Sequence, residues 1–172
     1  MLITVFALGT AIYLIFILLV CVALLRQRIP RDASIKGISV IIAARNEEGN
    51  LPRLLASLGA LDYPDDLYEI IIVNDHSTDG SMRILSEFDG KNNLRVIDWQ
   101  GSRTGLTGKK AAIQCGIEAA RYDILAFTDA DCVVPQTWLR RINACMDDQT
   151  DYLLGYSIIK RSTEGSIMRF RN

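Results

Sequence analysis

Asp129-Ala130-Asp131 carries the clearest chemical signal in this chain. It follows the mostly apolar run Ile124-Leu125-Ala126-Phe127-Thr128, which reads as a buried strand. It precedes Pro135, which suits the first turn of a helix. Two carboxylates therefore stand where a strand gives way to a loop, the edge at which open α/β sheets bind ligands. Asp at i and i+2 can reach one hard cation together and leave coordination positions for phosphate oxygens. The pattern points to a divalent metal holding a phosphorylated substrate. The same spacing also occurs in solvated turns, so the elements that position it decide its meaning.

Two other polar clusters follow predicted strands. Arg45-Asn46-Glu47-Glu48 follows the β-branched run Ile38-Ser39-Val40-Ile41-Ile42-Ala43. Asn74-Asp75-His76 ends a second run, Tyr68-Glu69-Ile70-Ile71-Ile72-Val73. Parallel strands would bring all three clusters to one edge of the sheet. Their carboxylates would repel one another there unless cations or hydrogen-bond donors intervene. Lys109 and Lys110 open a predicted helix, where cations oppose the macrodipole, and such a pair hints at a nearby anion such as a phosphate. Glu48 and Lys110 read as solvated side chains, and His76 as a residue bonding locally or facing water.

The helical and strand periods supply the frame. Leu51, Leu54, Leu55 and Leu58 mark one face of a helix that starts near Asn50, with Pro52 in its first turn. Ser77-Thr78-Asp79-Gly80 offers caps for a helix reaching about Phe88. Leu94 to Ile97 reads as a third strand, and Trp99 to Gly108 as a loop. Lys109 to Ala120 reads as a helix, with Ala112, Ile113, Gly116, Ile117 and Ala120 inward. Pro135 to Met146 reads as another, packing through Trp138, Leu139, Ile142 and Met146, and Tyr152 to Ile159 as a last strand. Alternating strands and helices predict a mostly parallel α/β sheet with helices on both faces.

The first 25 residues are different in kind. They carry no charged side chain. As a helix they would extend about 37 Å, against a hydrocarbon core of about 30 Å. No basic region precedes the run, and it is longer than the apolar core of a signal peptide. The sequence therefore predicts one membrane-spanning anchor over 1–25 and a juxtamembrane linker over 26–37. Arg26, Arg28, Arg31 and Lys36 follow the span and no Lys or Arg precedes it, which places the remainder on the cytoplasmic side.

With 19 basic and 20 acidic residues, the part beyond the anchor is nearly neutral, and no basic field suggests nucleic acid as the partner. Cys115, Cys132 and Cys145 lack zinc-like spacing and read as core residues. With His76 the only histidine, a Ser-His or Cys-His nucleophilic site could be built only around it.

Four segments, in order and at matching spacing from about residue 38 to 160, resemble the family 2 glycosyltransferases of GT-A fold. Val40-Ile41-Ile42-Ala43-Ala44-Arg45-Asn46-Glu47-Glu48 is similar to their opening segment. Ile71 through Ser81 resembles their nucleotide-contacting segment. Gly108-Lys109-Lys110-Ala111-Ala112-Ile113-Gln114-Cys115-Gly116-Ile117 resembles their Gly-Lys-x-x-Ala-Leu-Asn-x-Gly segment. Phe127-Thr128-Asp129-Ala130-Asp131 stands as their metal-binding Asp-x-Asp.

The resemblance implies a Rossmann-like GT-A sheet and a site for a nucleotide-diphosphate sugar. Ala43, Arg45 and Glu47 would lie along the nucleoside, and Asp75 would hydrogen-bond the base. Lys109 would lie near the donor phosphates or ribose. Asp129 would contact the nucleotide and help place Mg²⁺ or Mn²⁺, and Asp131 would ligate that metal. Arg45 stands where many members have an aromatic residue. No acidic general base is identifiable beyond Asp131, and the Gln-x-x-Arg-Trp segment of processive members is absent.

Residues 38–172 are therefore expected to form the nucleotide-sugar-binding part of a glycosyltransferase domain that is incomplete at its C-terminal side. The expected acceptor is a lipid-linked or cell-envelope glycan, since the anchor holds the site at the bilayer. Two other readings compete. One is a non-catalytic, membrane-tethered nucleotide-sugar binding subunit. The other is a haloacid-dehalogenase-like phosphatase with Asp129 as nucleophile, although that family places its motif early in the domain.

Overall fold

The computed structural model describes residues 2–25, 34–88, 93–101, 105–147 and 150–155. Among the described residues nine elements run in the order α1 (Leu2–Leu25), β1 (Ile38–Ala44), α2 (Leu51–Gly59), β2 (Tyr68–Asp75), α3 (Ser81–Glu87), β3 (Leu94–Trp99), α4 (Lys109–Glu118), β4 (Ile124–Phe127) and α5 (Trp138–Cys145). The four strands form one sheet in the order β3-β2-β1-β4, and every pair is parallel. The expected α/β architecture is present.

Burial explains why β1 and β2 read as nearly continuous apolar runs. Helices cover both of their faces, so side chains at both phases of the strand repeat must be apolar. On one face Ile38, Val40 and Ile42 of β1 and Ile70 and Ile72 of β2 meet Leu51, Leu54, Leu55 and Leu58 of α2. Leu85 of α3 and Leu139 of α5 complete that layer. On the other face Ile71 and Val73 pack with Ala112 of α4. Gly116 lets α4 approach closely, since a Cβ there would lie 2.5 Å from Ile41 Cγ2 and 3.4 Å from Val73 Cγ2. The small residues of α4 are thus a packing requirement against the sheet.

Several boundaries differ from the expectation. β2 continues through Asn74 and Asp75, because β3 pairs with them at Asp98 and Trp99. α4 ends at Glu118 rather than Ala120, and its buried residues are Ala111, Ala112 and Gly116, with Ile113 and Ile117 half-exposed. α5 starts at Trp138, since 136–137 form a turn, and it buries Leu139 and Asn143. Asn143 was not expected inside. Its Oδ1 accepts the Lys36 N–H at 2.9 Å and the Tyr63 hydroxyl at 3.2 Å, which explains its burial. Of the strand expected over Tyr152–Ile159, residues 152–155 carry no strand pairing and 156–159 lie outside the described residues.

Helix α1 is apolar throughout, and its side chains are exposed along 3–21. The stretch Ile3–Val22 has a mean hydropathy of 2.8, the length and composition of a bilayer span or of a signal sequence. Of the expected linker over 26–37, only 34–37 is described.

Candidate functional site

Strand register brings the three polar clusters to the C-terminal edge of the sheet. Ala44 of β1 pairs with Asn74 of β2, so Arg45 stands level with Asp75. Ile41 of β1 pairs with Phe127 of β4, so Asp129 follows β4 on the other flank of β1. Asp75 and Asp129 are therefore separated by two inter-strand spacings, about 10 Å across the sheet.

Asp75 is the buried member, its side chain only 4% exposed. Burying a carboxylate is costly unless cations or donors surround it. Two residues do so. His76 Nδ1 lies 2.8 Å from Asp75 Oδ1, and Arg45 Nη1 lies 3.9 Å from Asp75 Oδ2. Arg45 itself is largely exposed. Ala43 lies two residues before it on β1, half-buried on the face that carries Val73, Ile97 and Trp99.

A second cluster joins α4 to the loop after β4. Lys109 Nζ donates to Asp129 Oδ1 at 2.7 Å, with both side chains more than half exposed. The Lys109 cation thus meets the acidic loop, although the α4 N-terminus disfavours positive charge. Ala130 is buried between Asp129 and Asp131, while both aspartates are exposed. A turn in which Cys132 N–H donates to Asp129 O at 3.2 Å shapes this segment. Cys132 Sγ lies 3.6 Å from Asp131 Oδ1.

Among the described residues no group of three or more His, Cys, Asp or Glu side chains converges to hold a metal. Two exposed hard-oxygen ligands on one loop still suit Mg²⁺ or Mn²⁺. Mg²⁺ is commonly held by one or two carboxylates, with substrate phosphates and water supplying the rest. The donor set fits a metal that arrives with its substrate.

Gly108 shapes the approach to Lys109. Its backbone, at φ 61° and ψ −146°, lies close to a region open essentially to glycine alone. This conformation turns the chain into α4 immediately before the lysine.

The loop after β1 and the loop after β2 are stitched together. Asn46 accepts the Thr78 N–H on its Oδ1 at 2.8 Å, and its own N–H donates to Ser77 Oγ at 3.0 Å. The Glu47 N–H donates to Ser81 Oγ at 2.8 Å, and the Glu48 N–H to Asp79 Oδ2 at 3.1 Å. Gly80 N–H returns a bond to Glu48 Oε2 at 3.0 Å. Asp79 also receives the Ser81 N–H at 3.0 Å. The hydrogen bond to the Ser81 hydroxyl, foremost, holds the Asp79 carboxyl below its ordinary range. Asn74 Nδ2, foremost, and Gln100 do the same for Asp98.

These contacts bear on three readings. Glu48 is not merely solvated, because its carboxylate bridges the two loops and lies 3.7 Å from Arg83. Glu47 holds Asn50 Nδ2 on Oε2 at 2.7 Å and accepts the Asn50 and Leu51 N–H groups on its carbonyl, which ties it to the start of α2. His76 does bond locally, and its partner is Asp75. The Asp79-Gly80-Ser81 spacing is a local signal for a side-chain-capped turn. The bonds across 31 or 32 residues of sequence have no local signal.

Comparison with known proteins places this arrangement. A family model described as "Glycosyl transferase family 2" matches residues 39–171. Poly-beta-1,6-N-acetyl-D-glucosamine synthase of Staphylococcus epidermidis is 35% identical over 100 residues, 58% of this chain and 23% of that protein. Beta-monoglucosyldiacylglycerol synthase of Nostoc sp. is 33% identical over 112 residues, 64% of this chain and 24% of that protein. Among solved structures, S. aureus TarS 1-349 in complex with UDP-GlcNAc aligns at TM-score 0.54 and 29% identity, covering 63% of this chain and 30% of that TarS chain. The mannosyltransferase PcManGT of Pyrobaculum calidifontis, in complex with GDP-Man and Mn²⁺, aligns at TM-score 0.58 and 25% identity. That alignment covers 72% of this chain and 37% of PcManGT. The chain spans about a quarter of the length of these two curated relatives.

Proposed function

This chain belongs to glycosyl transferase family 2, and on that premise we propose that it binds a nucleotide-diphosphate sugar for metal-dependent transfer to a lipid-linked or cell-envelope glycan. The family takes the place of the phosphatase reading of Asp129-Ala130-Asp131. The observation that carries the proposal is the joint presence, at one edge of a parallel sheet, of a buried carboxylate and an exposed carboxylate pair. Such an arrangement offers an acceptor for a nucleoside at one end and ligands for a diphosphate-bound cation at the other.

Each residue then has a task. Asp75 accepts a hydrogen bond from the base, with Ala43 and Arg45 along the nucleoside. Glu47 acts at one remove, because its side chain anchors the loop that carries Arg45. Lys109 offers its cation to the donor phosphates, leaving Asp129. Asp129 and Asp131 would hold Mg²⁺ or Mn²⁺. That ion would offset the negative charge that grows on the departing diphosphate.

In the proposed reaction an acceptor hydroxyl oxygen bonds to the anomeric carbon from the face opposite the phosphate. The bond from that carbon to the phosphate oxygen breaks, and its electron pair leaves with the nucleoside diphosphate. The configuration inverts, and the hydroxyl proton passes to a carboxylate base. No described residue is assigned that role.

Two features support the acceptor class. The apolar α1 has the length to hold the domain at a bilayer, and we assign residues 38–172 to the cytoplasmic side because Arg26, Arg28, Arg31 and Lys36 follow the span. Two relatives carry lipids in their names, beta-monoglucosyldiacylglycerol synthase and an undecaprenyl-phosphate 4-deoxy-4-formamido-L-arabinose transferase. Incubating the chain with radiolabelled UDP-GlcNAc or GDP-mannose, Mn²⁺ and membrane lipid extract tests the proposal. Label moving to lipid or glycan supports transfer. Donor binding without transfer or hydrolysis would favour a non-catalytic binding subunit.

A further inference from the structure

We propose that His76 is a positioning residue for nucleotide binding, one that fixes Asp75 Oδ1 so that Oδ2 is presented to the base. The inference rests on the reading of Asp75 as the nucleoside acceptor.

Three observations carry it. The Asp75 carboxylate is buried, and His76 Nδ1 lies 2.8 Å from its Oδ1. The other oxygen lies on the Arg45 side, 3.9 Å from that guanidinium, which is too long for a hydrogen bond. Oδ2 thus keeps its accepting capacity while Oδ1 is occupied. Finally, His76 adopts a left-handed backbone at φ 55°, a region uncommon for residues other than glycine and one in which His, like Asn and Asp, is found more often than other side chains.

The loop after β1 offers a comparison within the same molecule. Asn46 has φ 56° at the corresponding turn, and its side chain is used to join the loops. A turn alone would be served best by Gly or Asn. At the end of β2 the same backbone carries an imidazole aimed at the buried carboxylate. A non-glycine residue held in this region marks a place where the surroundings impose the conformation.

The chemistry sets the tautomer. An ionised carboxylate only accepts, so His76 Nδ1 carries the proton that points to Asp75. In the neutral ring Nε2 is then an acceptor. The charged groups around the ring are Asp75, Arg45 and Asp98.

The test uses the full chain in lipid nanodiscs with UDP and GDP as probes. His76 is the single histidine, so imidazole ¹⁵N spectra are free of overlap. A proton on Nδ1 is expected, with resonances that move when nucleotide binds. His76→Gly keeps the left-handed turn and removes the donor. It should weaken binding of the preferred nucleotide on the order of tenfold and leave Mn²⁺-dependent pyrophosphate binding unchanged. His76→Asn also tolerates the turn, and its amide nitrogen can stand near the position of Nδ1, so it should restore most of the affinity.

Equal affinity in the parent, His76→Gly and His76→Asn would overturn the proposal, as would a proton on Nε2 alone. If Asp75→Ala binds nucleotide like the parent, the underlying reading of Asp75 fails and this inference falls with it. If Asp75→Ala weakens binding and His76→Gly does not, only the positioning role is refuted. Failure of the parent to bind either nucleotide would overturn both.

Discussion

Lys109 Nζ and Asp129 Oδ1 stand 2.7 Å apart, joining the first turn of α4 to the loop after β4. The pair puts a cation against a carboxylate proposed to receive a metal. Each side chain is more than half exposed, so the pair is weak enough to exchange partners.

Removing the lysine should separate its two effects. In Lys109→Met, Mn²⁺ alone is expected to bind more tightly, by up to about fivefold, because no cation competes for Asp129. UDP binding in Mn²⁺ should weaken, because the phosphates lose a positive partner. Calorimetry of metal and nucleotide, separately and together, checks both directions. A variant weaker for metal alone would contradict the exchange.

Close approach of α4 to the sheet gives a stability prediction. Gly116→Ala should destabilise the domain by about 1–3 kcal/mol, because the new methyl must displace the buried Ile41 side chain. Urea denaturation followed by fluorescence measures the loss. An unchanged midpoint would mean that α4 can shift outward freely.

Gly108→Ala acts on the site rather than the core. A side chain at φ 61° and ψ −146° is strained, so the turn into α4 should rearrange and displace Lys109. The expected result is weaker UDP binding together with a lower melting temperature. Gly101→Ala, at an exposed loop position with open space around it, serves as the control and should change neither.

Acid sensitivity follows from Asp79 and Asp98. Both carboxyls are held below the ordinary aspartate value by hydrogen bonds, to Ser81 for Asp79 and to Asn74 for Asp98. The unfolded chain therefore binds more protons in the acidic window. Their contribution is complete above about pH 3.9 and drains away as pH falls through the lower folded-state values. Melting temperature should drop over that window in the parent. In Asp79→Asn and Asp98→Asn it should start lower and fall less. A parallel fall in all three proteins would sink the assignment.

The fold was legible because β1 and β2 are buried on both faces and so read as apolar runs, and because Leu51, Leu54, Leu55 and Leu58 keep the helical period. The polar clusters were legible as strand-end residues, and parallel pairing then places them on one edge. What the sequence did not disclose depends on contacts between distant segments. The Asn46–Thr78 and Glu48–Gly80 bonds link two loops with no shared local pattern. Burial of Asn143 depends on Tyr63 and Lys36, from a different part of the chain. A local bond was legible for His76, but its partner and its left-handed backbone were not, because neither leaves a mark in composition.

The central claim is that the Asp75 cluster and the Asp129-Asp131 loop serve one donor. Calorimetric titration of UDP and GDP, with and without Mn²⁺, into the parent, Asp75→Ala and Asp131→Ala tests it most directly. Asp131→Ala is expected to lose the affinity that Mn²⁺ adds and keep the metal-free binding, whereas Asp75→Ala should bind more weakly in both conditions. Parent-like binding by both variants would contradict the account.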